Sequence, residues 1–288
     1  MALDHAAPDP SGMTTERNPQ ATQMADESMV RNLAAQAEAI WPQERPVLLR
    51  ERLPRSARVL DLGCGTGELT RRIARELPDA HVTGVDVHAP HLELARSAAG
   101  DLSDRVEFRE GDAFELDLAD DTFDLTIYRH LFQAITHPER VLAEMTRVTR
   151  PGGIVHVAAE DYGMIHFHPT TRNLDLFFHR GPCVFAERTG SDLLNGRKAP
   201  TMFHLAGLVD VSVDYIAIDT IRVPRPVLLD IFTAWRDGYA EGIAENSELE
   251  LDEVLASFEE MLNCLRLPEG YAVWQLPIVR GRVPDPSR

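Results

Sequence analysis

The sequence predicts an α/β fold in which a mostly parallel, seven-stranded sheet carries helices on both faces, an antiparallel edge strand and a helical cap. Three observations indicate this fold. Short apolar runs alternate with amphipathic helical segments between residues 57 and 160, a pattern typical of parallel strands joined by crossover helices. A glycine-rich turn connects the first run to the first helix. The 288 residues, 44% hydrophobic and 26% charged, suffice for one large domain with a continuous core.

The chain divides into three predicted parts. Residues 1–24 mix Pro, Asp, Ser, Thr and Asn without periodicity, which predicts a disordered, solvated tail. Residues 25–56 would form N-terminal helices over the site, and residues 57–288 would form the α/β domain. Within that domain we expect a helical insertion at about 222–268.

The N-terminal part shows apolar residues at helical spacing. This spacing predicts a helix over residues 26–40 that is ended by Pro42, and a second, short helix over residues 44–52. Both precede the alternating pattern, so they would cover the sheet without joining it.

Strands and helices then alternate along the domain. The residues that follow Glu160 are polar and rich in histidine, and they lead to two closing strands with two long helices between them. Strands are predicted over 58–62, 81–85, 105–109, 123–128, 153–159, 209–215 and 271–279, and helices over 69–77, 91–99, 138–149, 226–242 and 249–266.

Charge and cysteine content exclude several classes of protein. Lys and Arg number 29 against 46 Asp and Glu, a net charge of −17, so a phosphate backbone would be repelled and nucleic acid is not an expected partner. The three cysteines lack CxxC or zinc-finger spacing, which favours a reducing cytoplasm over a disulfide framework. No signal peptide and no run of eighteen apolar residues is visible, so no membrane partner is expected.

The glycine-rich turn is the most informative motif. It reads Asp61-Leu62-Gly63-Cys64-Gly65-Thr66-Gly67 and lies between a predicted strand and helix. Glycine lets the backbone approach a ligand, and the amides at a helix N-terminus favour polar or anionic groups. The spacing GxGxG differs from the GxGxxG of NAD-binding proteins, and the GK[ST] of the P-loop is missing. An NAD-dependent oxidoreductase is therefore a weaker alternative.

This turn resembles the first motif of the class I S-adenosylmethionine-dependent methyltransferases, whose fold is Rossmann-like. The resemblance continues through four further segments in the family's order and covers roughly residues 57–160. Those segments are Val82-Thr83-Gly84-Val85-Asp86-Val87, Glu110-Gly111-Asp112-Ala113-Phe114, Phe123-Asp124-Leu125-Thr126-Ile127-Tyr128-Arg129-His130 and Arg150-Pro151-Gly152-Gly153.

The resemblance implies S-adenosyl-L-methionine as cofactor and assigns a role to each matching residue. Asp86 would accept hydrogen bonds from both ribose hydroxyls, because a carboxylate can accept from a diol. Val87 would pack on adenine, Asp112 would accept from its amino group, and Ala113 would offer its amide to the ring. The methionine part would lie along Asp61, Gly63, Gly65 and Arg129, with Gln36 of the N-terminal helix closing over the cofactor.

The acceptor site should lie beyond the carboxyl ends of the fourth and fifth strands, since open α/β sheets bind ligands there. His130 and His166 are the candidate general bases, because imidazole titrates near neutrality, and Glu160 or Tyr162 would orient the acceptor. No bound metal is expected, since the carboxylate spacing does not reproduce the magnesium-dependent subgroup. Further candidate acceptor contacts are Trp41, Asp161 and His168, with Phe232, Trp235, Tyr239 and Phe258 of the insertion as walls.

The resemblance thus implies methylation of a small-molecule acceptor, a bacterial secondary metabolite with an aromatic or heteroaromatic ring. Methylation at C, N or O all remain open, and a homodimer is possible. A second hypothesis is a protein of the same fold that binds the cofactor without methyl transfer, in a pericyclase-like or scaffold role.

Overall fold

A computed structural model describes residues 17–20 and 27–287. Its central feature is one eight-stranded sheet. The strands are β1 (Arg58–Leu62), β2 (His81–Asp86), β3 (Val106–Glu110), β4 (Phe123–Arg129), β5 (Thr149–Ala158), β6 (Ile165–His168), β7 (Val209–Asp219) and β8 (Tyr271–Arg282).

The strand order confirms the predicted fold class. β3, β2, β1, β4 and β5 are neighbours and pair in parallel, and β8 joins β5 in the antiparallel direction. β7 pairs along one side of β8 and forms the edge of the sheet. The sequence does not predict β6. This strand pairs with the first residues of β8, and β5 pairs with the later residues on the same side of β8. Alternation of apolar and polar residues over only four positions is too short to predict a strand.

Helices cover both faces of this sheet. Outside the N-terminal part, the predicted helices and strands are present, and their ends differ from the prediction by four residues or fewer. The helices are α1 (Glu27–Leu49), α2 (Glu68–Glu76), α3 (Ala89–Ala99), α4 (Pro138–Val148), α5 (Leu174–Arg180), α6 (Pro182–Thr189), α7 (Ala199–Leu205), α8 (Arg225–Glu245) and α9 (Leu251–Arg266). None of the helices in the described part of the chain is both long and apolar enough to cross a membrane.

α1 corrects the prediction of two helices separated at Pro42. It runs unbroken through both Pro42 and Pro46, although an interior proline costs about 3 kcal/mol. Buried apolar side chains before and after the prolines offset this cost, since each contributes about 1.5–3 kcal/mol. These side chains are Ile40, Trp41, Val47 and Leu48, each 8% exposed or less.

The side of α1 that faces the edge of the sheet carries Gln43. Its Nε2 donates to the carbonyl of Ala217 at 2.6 Å, and its Oε1 accepts from the Ala217 amide at 3.1 Å. One side-chain amide therefore satisfies both backbone groups of a residue in β7.

Residues 17–20 contact the domain, although they fall within the predicted solvated tail of residues 1–24. Gln20 is 3% exposed, and its Nε2 donates to the carbonyl of Gln133 and to Ser191 Oγ. The other residues of the predicted tail, 1–16 and 21–24, lie outside the described part of the chain.

Candidate functional site

The glycine turn joins β1 to α2 in a conformation that requires glycine. Gly63, Gly65 and Gly67 have φ angles of 68°, 51° and 74°, in the left-handed region that other residues rarely adopt. A Cβ at Gly65 would lie 2.9 Å from the Leu33 side chain, and one at Gly67 would lie 2.6 Å from the Phe108 ring. The turn is thus held close to α1 on one side and to β3 on the other.

A cleft with about 910 Å³ of empty space, partly open to solvent, extends from this turn along the carboxyl ends of the neighbouring strands. It contains most of the residues that the sequence predicts for the cofactor. Gly63, Gly65, Asp86, Val87, Asp112, Ala113, Arg129 and His130 all line it, together with Leu33, Leu131 and Arg17.

Asp86 is held by backbone amides on both sides of its carboxylate. Oδ2 accepts from Gly65 N at 2.7 Å, and Oδ1 accepts from His88 N at 2.8 Å. Each carboxylate oxygen can accept a second hydrogen bond, so a ribose diol in the cleft would find two preoriented acceptors. This geometry fits the predicted role.

Asp112 is fixed in a similar way, with a partner that the sequence does not reveal. Oδ1 accepts from Phe114 N at 2.9 Å, and Oδ2 accepts from Arg17 Nη1 at 2.7 Å. The Arg17 guanidinium also lies 5.6 Å from the centre of the Phe114 ring. Residue 17 of the presumed tail therefore forms part of the rim of the cleft.

Two predicted cofactor residues do not line the cleft. The carboxylate of Asp61 is 2% exposed and accepts from Thr70 Oγ1 at 2.6 Å, so it ties the end of β1 to α2. Burial raises the pKa of Asp61 to about 7. Gln36 is 5% exposed within α1, and Leu33, one turn earlier in that helix, reaches the cleft in its place.

Arg129 at the end of β4 belongs to a buried charge cluster. Its Nη2 donates to Glu44 Oε2, and His156 Nε2 contacts Glu44 Oε1 at 2.9 Å. Burial lowers the pKa of Arg129 to about 9, so the guanidinium stays charged at neutral pH. Its Nε is buried without a hydrogen-bond partner in the described residues, and the side chain lines the cleft. An anionic group bound there could accept from it.

Sequence reasoning missed Glu44, although α1 contains a signal for it. Glu44 lies four residues after Ile40 and four before Leu48, on the apolar stripe of the helix, and it is 0% exposed. A carboxylate in such a stripe requires buried partners, and Arg129 and His156 are those partners.

His130 and Glu160 form a second buried pair, between the ends of β4 and β5. His130 Nδ1 contacts Glu160 Oε1, and Glu160 is 1% exposed. Burial and the nearby Arg129 charge lower the pKa of His130 to about 3, so the ring is neutral at pH 7. With Nδ1 donating to the carboxylate, Nε2 is left as an acceptor, and it is buried without a partner in the described residues. The structure thus brings together a candidate general base, His130, and a candidate orienting residue, Glu160, in a contact that the sequence does not predict.

A second cavity, with about 390 Å³ of empty space that is partly open to solvent, has mostly aromatic walls. Tyr162 stacks on Trp235 with ring centres 5.2 Å apart. The His130 ring lies 5.8 Å from Trp274, which lies 5.5 Å from Trp235, so Trp274 connects His130 in the cleft to the wall of the cavity. The walls are Gln20, Tyr162, Phe178, Pro182, Phe185, Leu193, Trp235, Tyr239, Ile243 and Phe258; Phe232 packs on Trp235 from outside this set.

Four other predicted acceptor residues lie elsewhere. His166 and His168 share the exposed face of β6, where His166 Nδ1 contacts Asp175 Oδ1 at 3.3 Å, because alternation along a strand turns both imidazoles the same way. The carboxylate of Asp161 is buried and accepts from Arg197 Nε at 2.6 Å. Trp41 packs in the core between α1 and the sheet. None of the four contributes to the two cavities.

The chain resembles known methyltransferases over part of its length. Residues 59–153 match the family model described as a methyltransferase domain. The chain is 35% identical over 123 residues to the demethylmenaquinone methyltransferase of Thermus thermophilus, covering 43% of this chain and 55% of that protein. It is 38% identical over 137 residues to methyltransferase GfsG of Streptomyces halstedii, covering 46% and 47%. The chain thus spans about half the length of these relatives.

Solved structures resemble the chain over more of its length. Phosphoethanolamine N-methyltransferase 2 of Haemonchus contortus, in complex with S-adenosyl-L-methionine, matches with a TM-score of 0.60 at 18% identity, over 96% of this chain and 62% of that one. The [4+2]-cyclase SpnF matches with a TM-score of 0.51 at 23% identity, over 84% and 81%. These low identities show the shared fold. The match of residues 59–153 identifies this part of the chain as a methyltransferase domain, and the sequence motifs that it contains resemble those of the class I S-adenosylmethionine-dependent methyltransferases.

Proposed function

We propose that this protein transfers the methyl group of S-adenosylmethionine to a small molecule with an aromatic or heteroaromatic ring. The observation that carries the proposal is the position of the His130–Glu160 pair. His130 lines a cleft whose residues suit the cofactor, and Trp274 connects it to a cavity with aromatic walls. A methyl donor and an acceptor in these two spaces would meet at the imidazole.

The cleft residues fit the cofactor in the order of the strands. Asp112 follows β3, Asp86 ends β2 and Arg129 ends β4, so they span three strand spacings of about 4.8 Å each. Asp112 would hold the adenine amine, Asp86 the ribose and Arg129 the carboxylate of the methionine part, through Nε, which has no partner among the described residues. The bound cofactor supplies an electrophilic methyl group.

The pair itself would manage the acceptor's proton. His130 Nε2 would accept a proton from a hydroxyl, an N–H or an activated ring carbon as the methyl group transfers. Glu160 fixes the tautomer through Nδ1 and stabilises the imidazolium that forms. The aromatic walls exclude water and orient the ring of the acceptor.

The nature of the acceptor is supported by the size and the charge of the site. The space between the aromatic walls, about 390 Å³ with its opening to solvent included, leaves room for no more than a small molecule, and a net charge of −17 opposes binding of nucleic acid. The relatives include a quinone methyltransferase and GfsG of a Streptomyces, which favours a role in quinone or natural-product methylation. Three free cysteines favour a reducing, cytoplasmic setting.

The proposal is tested in two steps. S-adenosylhomocysteine should bind in a calorimetric titration in which NAD does not. Incubation with S-adenosylmethionine and a panel of phenols, indoles and quinols should give products heavier by one CH₂, detected by mass spectrometry. Cofactor binding without transfer to any of these acceptors would favour the cofactor-binding role without methyl transfer.

His130→Asn tests the base, with asparagine chosen because His130 has a φ of 57° that asparagine tolerates. We expect turnover to fall about 10²-fold or more, with affinity for S-adenosylhomocysteine largely kept. The matched control is His137→Asn, which also has a positive φ, 54°, but an exposed side chain. Wild-type turnover in His130→Asn would place the base elsewhere.

A further inference from the structure

The aromatic cavity has a polar end formed by Gln20 and Tyr239. Gln20 is 3% exposed, and its amide oxygen Oε1 lies 3.0 Å from Tyr239 Oη. These residues come from the N-terminal segment and from α8, both outside the matched residues 59–153. The polar end is thus a feature of this chain beyond the shared domain.

The surroundings fix the orientation of the Gln20 amide. Nε2 lies 3.4 Å from the carbonyl oxygen of Gln133, which can only accept, and 3.2 Å from Ser191 Oγ. A flipped amide would place its oxygen against the Gln133 carbonyl and lose this bond. Oε1 must therefore face Tyr239.

This orientation in turn fixes the Tyr239 hydroxyl. Because Oε1 has no hydrogen to give, Tyr239 Oη donates to it and has only lone pairs left for other partners. Burial raises the pKa of Tyr239 well above its ordinary value, so the phenol keeps this proton. Since Tyr239 lines the cavity, any ligand there meets it as a hydrogen-bond acceptor.

We propose that the cavity selects acceptors that present a hydroxyl or N–H to Tyr239 Oη, and that Gln20 sets this preference by holding the Tyr239 hydrogen. The inference rests on the proposed function and specifies its substrate class. Phenols and N–H heterocycles satisfy the lone pair of Tyr239. Ethers and thioethers of the same shape leave it buried and unpaired, at a free-energy cost.

The test compares indole with benzothiophene, two fused-ring probes of similar size of which only indole carries an N–H. Equilibrium dialysis at saturating S-adenosylhomocysteine measures both affinities. For the wild-type protein we expect indole to bind about five- to tenfold more tightly, the effect of one neutral hydrogen bond. Tyr239→Phe should reduce this ratio to about one, and Tyr215→Phe, at an exposed tyrosine of β7, should leave it unchanged.

Gln20→Leu gives a second and independent readout. Without Oε1 the Tyr239 hydroxyl is free to donate, so the indole preference should fall while benzofuran, whose ring oxygen accepts, should bind more tightly than in the wild type. A general loss of structure would weaken all probes together and leave their ratios unchanged.

Equal binding of indole and benzothiophene by the wild-type protein would overturn the proposal, and so would a preference that survives in Tyr239→Phe. Failure of both probes to bind would overturn it as well. Because every sample also reports binding of S-adenosylhomocysteine, a failure of the polar end is distinguished from a failure of the methyltransferase function.

Discussion

Replacement of Asp61 by asparagine should stabilise the protein more at high pH than at low pH. Asp61 lies at the end of β1, 2% exposed, and burial raises the pKa of its carboxyl from 3.8 to about 7. In the unfolded chain the same carboxyl ionises at its ordinary value. Between these two values the folded state holds a proton that the unfolded state has lost, so the free energy of unfolding of the wild type falls as pH rises.

The two pKa values give the size of the effect. At about 1.36 kcal/mol per pKa unit, the free energy of unfolding of the wild type is about 1.7 kcal/mol lower at pH 5 than in strongly acid solution. At pH 8 it is about 4.3 kcal/mol lower. Asparagine does not titrate, and its Oδ1 can still accept from Thr70. The stability of Asp61→Asn relative to the wild type should therefore increase by about 2.6 kcal/mol from pH 5 to pH 8.

Urea denaturation of both proteins at pH 5 and pH 8 measures this difference. Any constant cost of inserting the asparagine amide cancels between the two pH values, and so do the titrations of His130 and His156, which both proteins share. Asp104→Asn, at an exposed position of the loop before β3, is the control and should show no such change. A stability difference independent of pH would refute the reasoning, since it would mean that the folded carboxyl ionises as easily as the unfolded one.

Three substitutions test charges that line the cleft or lie buried behind it. Asp86→Ala removes the predicted partner of the ribose, so in calorimetric titrations S-adenosylhomocysteine and 5′-methylthioadenosine should both lose about 10- to 100-fold in affinity; unchanged binding would rule out the ribose assignment. Arg129→Met should weaken only S-adenosylhomocysteine, because methylthioadenosine lacks the carboxylate, and an equal loss for both ligands would contradict this role. Glu44→Ala leaves Arg129 buried without its counter-ion and should reduce the free energy of unfolding by about 3–5 kcal/mol. Glu51→Ala, which removes more exposed ion pairs with Arg280 and Arg282, should cost less, and an equal loss would contradict the importance of burial.

The sequence predicts those parts of the site that depend on local pattern. The glycine turn and the acidic residues at the ends of β2 and β3 are positioned by the strand and turn that contain them, so Asp86 and Asp112 lie where the motif places them. His130 and Glu160 follow adjacent strands of a parallel sheet. The alternation of elements indicates that these strands are neighbours, whereas the contact between the two side chains is seen only in the structure.

The parts that the sequence misses depend on tertiary contacts. α1 continues through Pro42 because the apolar side chains on both sides of the proline are buried. As a result, Trp41 packs in the core and Glu44 contacts Arg129. Gln20 belongs to a segment without periodicity, and its partners are more than a hundred residues away. The residue type of His166 predicts a general base, but its position in a four-residue strand directs its side chain to the exposed face.

The contact between Gln43 and β7 bears on how copies of this protein can associate. An edge strand offers unpaired backbone groups to which a second chain can add a strand, a common route to dimers and to aggregates. At Ala217 these groups are already occupied by the Gln43 amide, and the register shift between Val209 and Ser212 breaks the regular pattern nearer the start of the strand. A second molecule would have to displace α1 before it could extend the sheet, so this edge is protected against strand addition.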